Sequence, residues 1–191
     1  MMKPLADLFP LLNEPRRVVI TTHQKPDADA MGSSLALKHF LGQLGHTVTV
    51  ISPTNWAGWV NWMPGVNEVM DYDMEKQKAE EVLDNAEWLF CLDFNIFHRT
   101  KTMTEKLKQL TCTKILIDHH QEPDTDSFDF GISDTSKSST CEMIYDMIID
   151  SGHAEKINEE IGVCIYAVWE EIRVHSGFVL LMPACTNWLP I

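Results

Sequence analysis

The chain has 191 residues, with 15 Lys and Arg against 28 Asp and Glu and a formal net charge of −13 at pH 7. This length predicts one domain, and a hydrophobic content of 45% excludes disordered and fibrous proteins. The acidity excludes non-specific binding to duplex DNA or to an anionic membrane surface, because both need clustered Lys and Arg.

Strand patterns alternate with helix-length segments along the chain. In chain order we predict a short helix at residues 5–12, strands at 17–22 and 47–51 around a helix at 29–44, a helix at 74–85, strands at 88–93 and 114–118 around a helix at 97–110, and helices at 138–151 and 154–167. This alternation is typical of βαβ crossovers. We therefore predict an α/β fold with a mostly parallel β-sheet flanked by helices.

Residues 55–63 are too irregular to assign to an element, although they contain three tryptophans. The spacing of Trp56, Trp59 and Trp62 favours one helical face packed on the core over a surface that stacks nucleobases.

The cysteines and the apolar runs indicate where in the cell the protein is located. The chain has 5 cysteines and no C-x-x-C pair, which predicts a reduced, cytoplasmic protein. Its longest apolar run, residues 161–169, is shorter than the ~20 residues that span a bilayer. We expect no signal peptide and no membrane partner.

Acidic residues and histidines follow several predicted strands directly. They are His23, Asp27 and Asp29 after the first strand, Asp93 at the end of the strand at 88–93, and Asp118, His119 and His120 at the end of the strand at 114–118. The carboxyl ends of parallel strands meet at one edge of a sheet, where ligands bind. We therefore expect these side chains to converge.

Mixed carboxylates and imidazoles suit Mn²⁺, Fe²⁺, Co²⁺ or Mg²⁺ rather than structural zinc. The set is larger than one ion needs, which favours two ions that share a carboxylate and activate a hydroxide. Without cations, so many carboxylates would repel one another. Bound cations would also let an acidic protein accept anionic substrates.

Three segments carry a family resemblance: ITTHQKPDADAMGSSLAL at residues 20–37, CLDFN around Asp93, and IDHH ending at His120. They resemble the DHH phosphoesterases, and most of all the oligoribonuclease and 3′-phosphoadenosine-5′-phosphate phosphatase type known as nanoRNases. The resemblance implies a DHH domain at residues 1–167 that hydrolyses short oligoribonucleotides or 3′-phosphoadenosine 5′-phosphate. It implies two Mn²⁺ ions, with Mg²⁺ or Co²⁺ as alternatives, and a hydroxide nucleophile activated by both ions.

The same resemblance assigns roles by position. The first ion is expected to take His23, Asp27 and Asp93, and the second to take Asp29, Asp93 and His119, with Asp93 as the bridge. His120 is expected to face the scissile phosphate, while Asp118 orients the histidines. Gly32, Ser33 and Ser34 are expected to bind a phosphate oxygen at a helix start. The alternative is that Gly32 and Ser33 only allow close helix packing.

After Ala167 the sequence departs from the family pattern. The family's fourth motif supplies an Asp in an Asp-Thr-Gly context, whereas this chain has Glu170 and Glu171 near that place and no Asp. We expect residues 168–191 to be an atypical apolar tail produced by a frameshift, because a shifted reading of residues 171–178 restores Asp-Thr-Gly. We also expect the C-terminal DHH-associated domain to be absent, activity to be weak, and the tail to promote self-association or a homodimer.

Two alternatives to an oligoribonuclease stay open. One is a non-catalytic metal-binding or nucleotide-binding remnant. The other is a hydrolase of inorganic pyrophosphate or polyphosphate with the same metal core. The expected partners are short single-stranded RNA or small nucleotide phosphates, and duplex DNA is not expected to bind.

Overall fold

The computed structural model describes the backbone of residues 1–176 and the side chains of residues 1–168. Its strands are β1 Lys3–Pro4, β2 Arg17–Thr21, β3 Thr47–Ser52, β4 Met70–Asp71, β5 Trp88–Leu92, β6 Thr113–Asp118 and β7 Phe130–Ser133. Its α-helices are α1 Ala28–Gln43, α2 Lys76–Asp84, α3 Thr104–Gln109, α4 Thr140–Asp150 and α5 Glu159–Ser176. The strands form one 7-stranded sheet in the order β1-β7-β6-β5-β2-β3-β4.

Every strand pairing in this sheet is parallel, which confirms the predicted α/β fold. The central strand β5 is buried along its whole length, as expected for a parallel strand covered on both faces. Both edge strands, β1 and β4, have 2 residues each. Such short edges offer little backbone for pairing with another chain.

Helices cover both faces of the sheet. Side chains alternate along β2, so Val18 and Ile20 enter one core and Val19 the other. Helix α1 packs between the sheet and helices α4 and α5 in the first core. Its residues from Ala28 to Leu37 are all buried, because this helix has neighbours on several sides.

Several predicted elements differ from the observed ones. The helix at 5–12 is a 3-10 helix, Leu5–Leu11, and the helix at 97–110 is a 3-10 segment, Phe97–Met103, followed by α3. The helix at 154–167 divides into a 3-10 turn, Ala154–Lys156, and α5. Strands β1, β4 and β7 were not predicted, because strands of two to four residues give almost no periodic pattern.

The prediction that three tryptophans pack on the core is wrong for two of them. Trp59 and Trp62 are 44% and 50% exposed, whereas the partly buried Trp56 packs against the core and its indole N–H donates to Asn61 Oδ1 at 2.9 Å. Only the three-residue 3-10 helix Gly58–Val60 forms in this loop. The spacing of the tryptophans therefore does not produce one helical face.

The boundary predicted at residue 167 falls inside α5, whose backbone continues to Ser176. Glu170, Glu171 and the predicted apolar tail lie beyond the residues whose side chains are described. In the described part of the chain, no helix combines the length and the apolar character that crossing a bilayer requires. The cysteines described there, Cys91, Cys112, Cys141 and Cys164, are free thiols.

Gly32 sets the distance between α1 and α5. A Cβ atom at this position would lie 2.5 Å from the backbone oxygen of Cys164, which is too close for any real contact. Because this oxygen belongs to the backbone of α5, relieving the clash requires a shift of one whole helix against the other. Gly32→Ala is therefore expected to destabilise the fold by about 1–3 kcal/mol, because overpacking forces the helices apart. Urea unfolding would measure this change.

Gly42 in the same helix provides a matched control, since a Cβ atom there meets nothing within 4 Å. Gly42→Ala is expected to leave stability unchanged or to raise it by up to about 1 kcal/mol through helix propensity. Equal unfolding free energies for Gly32→Ala and Gly42→Ala would contradict the packing role of Gly32.

Candidate metal centre

Strands β2, β5 and β6 are neighbours in the sheet and run in the same direction. Their carboxyl ends therefore lie side by side at one edge of the sheet. His23 follows the end of β2, Asp93 directly follows β5, and Asp118 is the last residue of β6. This topology brings together residues that are far apart in the sequence.

Asp93 lies at the middle of this cluster and is 2% exposed. Its Oδ2 atom is 3.4 Å from His23 Nε2, and its Oδ1 atom is 3.4 Å from His119 Nε2. Its backbone has a φ of 63°, a left-handed conformation that is rare outside glycine. Strained backbone of this kind concentrates at functional sites, and here it places one carboxylate between two imidazoles.

His23 and Asp27 form one side of the cluster. His23 Nε2 is 3.8 Å from Asp27 Oδ2, while His23 Nδ1 is 2.9 Å from the carbonyl oxygen of Gln24. A proton on Nδ1 donates to that carbonyl and leaves Nε2 free to bind a cation. Asp27 also caps helix α1, because its Oδ1 accepts from the backbone N–H of Ala30 at 3.0 Å.

Asp29 and His119 form the other side. Asp29 accepts hydrogen bonds from the backbone N–H groups of Thr140 and Cys141, both at 2.8 Å, at the start of α4. Its Oδ2 atom is 3.5 Å from His119 Nε2. The Nδ1 atom of His119 is 3.3 Å from the carbonyl oxygen of Lys137, which orients the ring with Nε2 toward the carboxylates.

Asp118 and His120 make a separate pair beside this centre. Asp118 is fully buried; its Oδ1 is 2.7 Å from His120 Nδ1, and its Oδ2 accepts from the backbone N–H of His120 at 3.1 Å. The pair fixes the His120 ring, with Nδ1 3.8 Å from Asp93 Oδ1. The His120 side chain is partly exposed.

Gly32, Ser33 and Ser34 lie on α1 behind the centre. Both serines are fully buried, and their hydroxyls donate to the carbonyl oxygen of Ala30, Ser33 at 3.3 Å and Ser34 at 2.7 Å. Gly32 faces α5, as described above. A phosphate contact by these residues stays a prediction, while the close packing of Gly32 is a structural observation.

Two residues at the centre had no assigned role from sequence. The Thr140 hydroxyl donates to Asp93 Oδ1 at 3.0 Å, and an Arg99 guanidinium nitrogen donates to the backbone oxygen of Asp93 at 3.2 Å. The Arg99 carbonyl also accepts from the backbone N–H of Gln24 at 2.9 Å. The one signal in the sequence is Ser139 followed three residues later by Glu142, a pattern typical of a helix start, and the Ser139 hydroxyl accepts from the Glu142 N–H.

The protonation of the centre follows from burial and from charge. Burial and the neighbouring charge of Asp93 raise the pKa of Asp29 to about 7. The hydrogen bond with Asp93 raises the pKa of His119 to about 9. Burial opposes the charge on Asp93, but hydrogen bonds from His119 and His23 outweigh it and hold the pKa of Asp93 low. Protons therefore occupy this centre when no cation does.

These residues fit divalent cations. Ligand atoms of His23, Asp27 and Asp93 lie within 4.8 Å of one another, and so do those of Asp93, His119 and His120. Both groups include Asp93, and both mix carboxylate with imidazole, the donor set of Mn²⁺ and similar ions. The donors fit two cations that share one carboxylate.

The affinity for Mn²⁺ is expected to rise with pH between 6 and 8. A cation must displace the protons on Asp29 and His119, whose pKa values are about 7 and about 9. Burial opposes the charge on His23, but the hydrogen bond with Asp93 outweighs it and raises the pKa of this ligand too. Binding at pH 6 should therefore release more than two protons per chain, and fewer at pH 8. Calorimetric titration in buffers of different ionisation enthalpy measures this number. An affinity and a proton release that do not change with pH would contradict the assignment.

Comparisons with known proteins give a consistent result. The profile of the DHH family, N-terminal domain, matches residues 17–168. The uncharacterized protein MG371 of Mycoplasma genitalium is 30% identical over 146 residues, which is 76% of this chain and 41% of that protein. An exopolyphosphatase-related protein of Bacteroides fragilis is 34% identical, with a TM-score of 0.83 over 87% of this chain and 49% of that one.

A more distant structural match is exonuclease RecJ bound to manganese, at 16% identity and a TM-score of 0.45, over 90% of this chain and 39% of that one. The chain spans less than half the length of each of these relatives.

Proposed function

Because the chain belongs to the DHH family, N-terminal domain, over residues 17–168, we propose that it is a phosphoesterase that depends on two divalent cations. The observation that carries this proposal is the position of Asp93. Its two carboxylate oxygens face two different histidines, each at 3.4 Å. A carboxylate in this position suits two ions better than one.

Each side of the centre supplies its own donors. We propose that His23, Asp27 and Asp93 hold one ion, and that Asp29, Asp93 and His119 hold the other. Two such ions supply Lewis-acid activation of the phosphoryl group and a water of lowered pKa. Mn²⁺ is the proposed ion, because the donor set suits it and the DHH resemblance implies it, with Mg²⁺ or Co²⁺ as alternatives.

The neighbouring residues bind and orient the substrate in this proposal. His120 presents its Nε2 edge to a phosphate oxygen, while Asp118 holds the other ring nitrogen at 2.7 Å. The contact with Asp118 fixes the orientation of the ring, so that the imidazole faces the negative charge that develops on a phosphoryl group. Arg99 tethers the backbone of Asp93 to the loop that carries His23.

The proposed substrates are short oligoribonucleotides and 3′-phosphoadenosine 5′-phosphate, and the proposed partners are short single-stranded RNA and small nucleotide phosphates. The nanoRNase-like segments at residues 20–37 and around Asp93 and His120 support this choice. Free cysteines in the described part of the chain support a cytoplasmic location. A second candidate is hydrolysis of polyphosphate or pyrophosphate, which the 34% identical exopolyphosphatase-related protein favours.

A hydrolysis panel separates these functions. The full chain is incubated with Mn²⁺ and, in parallel, with a short oligoribonucleotide, 3′-phosphoadenosine 5′-phosphate, pyrophosphate or polyphosphate. We expect release of mononucleotide or phosphate from the nucleotide substrates, and none with EDTA. Faster hydrolysis of pyrophosphate or polyphosphate would support the second candidate, and binding of Mn²⁺ without any hydrolysis would indicate a non-catalytic remnant.

A further inference from the structure

Thr140 contacts both carboxylates on the α4 side of the centre. Its backbone N–H donates to Asp29 Oδ2 at 2.8 Å, and its hydroxyl donates to Asp93 Oδ1 at 3.0 Å. Thr140 is fully buried and Asp93 is 2% exposed, so water does not compete for either bond. One residue therefore links the two acidic side chains that surround the second proposed ion.

The hydroxyl bond selects one oxygen of Asp93. Oδ1 receives the Thr140 hydroxyl and faces His119 at 3.4 Å, whereas Oδ2 faces His23 at 3.4 Å. A carboxylate rotates about its Cβ–Cγ bond unless something holds it. A hydroxyl that donates to a buried, ionised carboxylate makes a strong, directional bond and holds that rotation.

We propose that Thr140 is a positioning residue that orients Asp93 so that each oxygen serves a different ion. This inference rests on the proposed two-ion centre. The backbone N–H of Thr140, at the start of α4, donates to Asp29 and holds this second carboxylate. Because one residue bonds both side chains, Asp29 and Asp93 keep a fixed orientation relative to each other. Thr140 itself binds neither ion; it acts through the carboxylates.

The bond predicts an unequal effect on the two ions. The second ion needs both carboxylates that Thr140 contacts, together with His119. The first ion shares Asp93, but through Oδ2, the oxygen that Thr140 does not contact. Its other ligands, His23 and Asp27, make no hydrogen bond with Thr140 in the described structure. Loss of the hydroxyl is therefore expected to lower the affinity for the second ion by about 10–100-fold, the usual cost of losing a residue that supports a metal ligand.

Thr140→Val removes the hydroxyl but keeps the shape of the side chain and the backbone N–H. Thr140→Ser restores the hydroxyl. Ser139→Ala is the matched control, because the Ser139 hydroxyl accepts from the Glu142 N–H at 3.1 Å and caps α4 without touching either carboxylate. This control weakens the helix start without removing the bond to Asp93.

The test is a Mn²⁺ titration of the full chain and its variants, in which electron paramagnetic resonance measures the concentration of free Mn²⁺ at each step. We expect two ions per chain in the wild type. In Thr140→Val we expect one ion of near wild-type affinity and one bound at least 10-fold more weakly. Thr140→Ser and Ser139→Ala are expected to stay within about threefold of the wild type for both ions, and thermal unfolding in EDTA shows which variants only lose stability.

The outcomes separate this inference from the function on which it rests. Two ions in the wild type with unchanged binding in Thr140→Val would overturn the role of Thr140 alone. Equal weakening in Thr140→Val and Ser139→Ala, without rescue by Thr140→Ser, would likewise show a merely structural role. A wild-type chain that binds one ion or none would overturn the two-ion centre as well.

Discussion

Replacing Asp93 with Asn is expected to abolish the stabilisation that Mn²⁺ gives the wild-type protein. Asn tolerates the left-handed φ of 63° that Asp93 adopts, so the variant keeps the backbone and loses only the shared charge. In the wild type, Mn²⁺ at a hundredfold excess over Kd should raise the free energy of unfolding by about 2.7 kcal/mol for each ion that binds. Denaturant unfolding with Mn²⁺ and with EDTA measures the difference for each protein.

Cys91→Ala provides the control for this experiment. Cys91 lies on β5, two positions before Asp93, and is fully buried in the core. The substitution is expected to lower stability through a small cavity but to keep the full response to Mn²⁺. A full Mn²⁺ response in Asp93→Asn, or no response in the wild type, would contradict the proposed centre.

Removing the imidazole of His120 is expected to lower kcat by about 10²–10³-fold and to leave the affinity for Mn²⁺ unchanged. The proposal gives His120 the role of stabilising charge on the phosphoryl group, and the loss of one such donor has this magnitude. His120→Ala therefore separates a residue that acts on the substrate from a metal ligand. The readouts are the hydrolysis rate of a short oligoribonucleotide and a Mn²⁺ titration of the same preparation.

The Mn²⁺ titration is decisive because His120 could itself bind an ion: ligand atoms of His120, Asp93 and His119 lie within 4.8 Å of one another. If His120→Ala binds one ion fewer than the wild type, His120 is a ligand and its proposed role is wrong. Asp118→Asn is the companion variant: it keeps the side-chain shape but removes the charge that faces the His120 ring at 2.7 Å. A smaller loss of kcat with unchanged Mn²⁺ binding is expected.

The strand ends of the fold could be predicted from sequence because two physical patterns coincide there. The apolar runs before His23, Asp93 and Asp118 mark buried parallel strands, and the polar residues at their ends mark the edge where ligands bind. Once the strands are assigned, the topology alone brings these side chains together. The structure places β2, β5 and β6 as neighbours, in agreement with that argument.

The contacts that orient this cluster could not be predicted in the same way. Thr140 reaches Asp93 only because α4 begins over the ends of the strands, and its position after a helix cap explains its residue type equally well. Arg99 contacts the Asp93 backbone from an irregular 3-10 segment that has no clear periodicity. Trp59 and Trp62 show the converse error, since their spacing fits one helical face but lies in a loop that forms only one short turn.

The most direct test of the two-ion centre is anomalous diffraction at the manganese edge from crystals of the full chain grown with Mn²⁺. The account predicts two anomalous peaks about 3.5–4 Å apart, one on the His23 side of Asp93 and one on the His119 side. A single peak, or peaks that leave Asp93 without a metal contact, would contradict it.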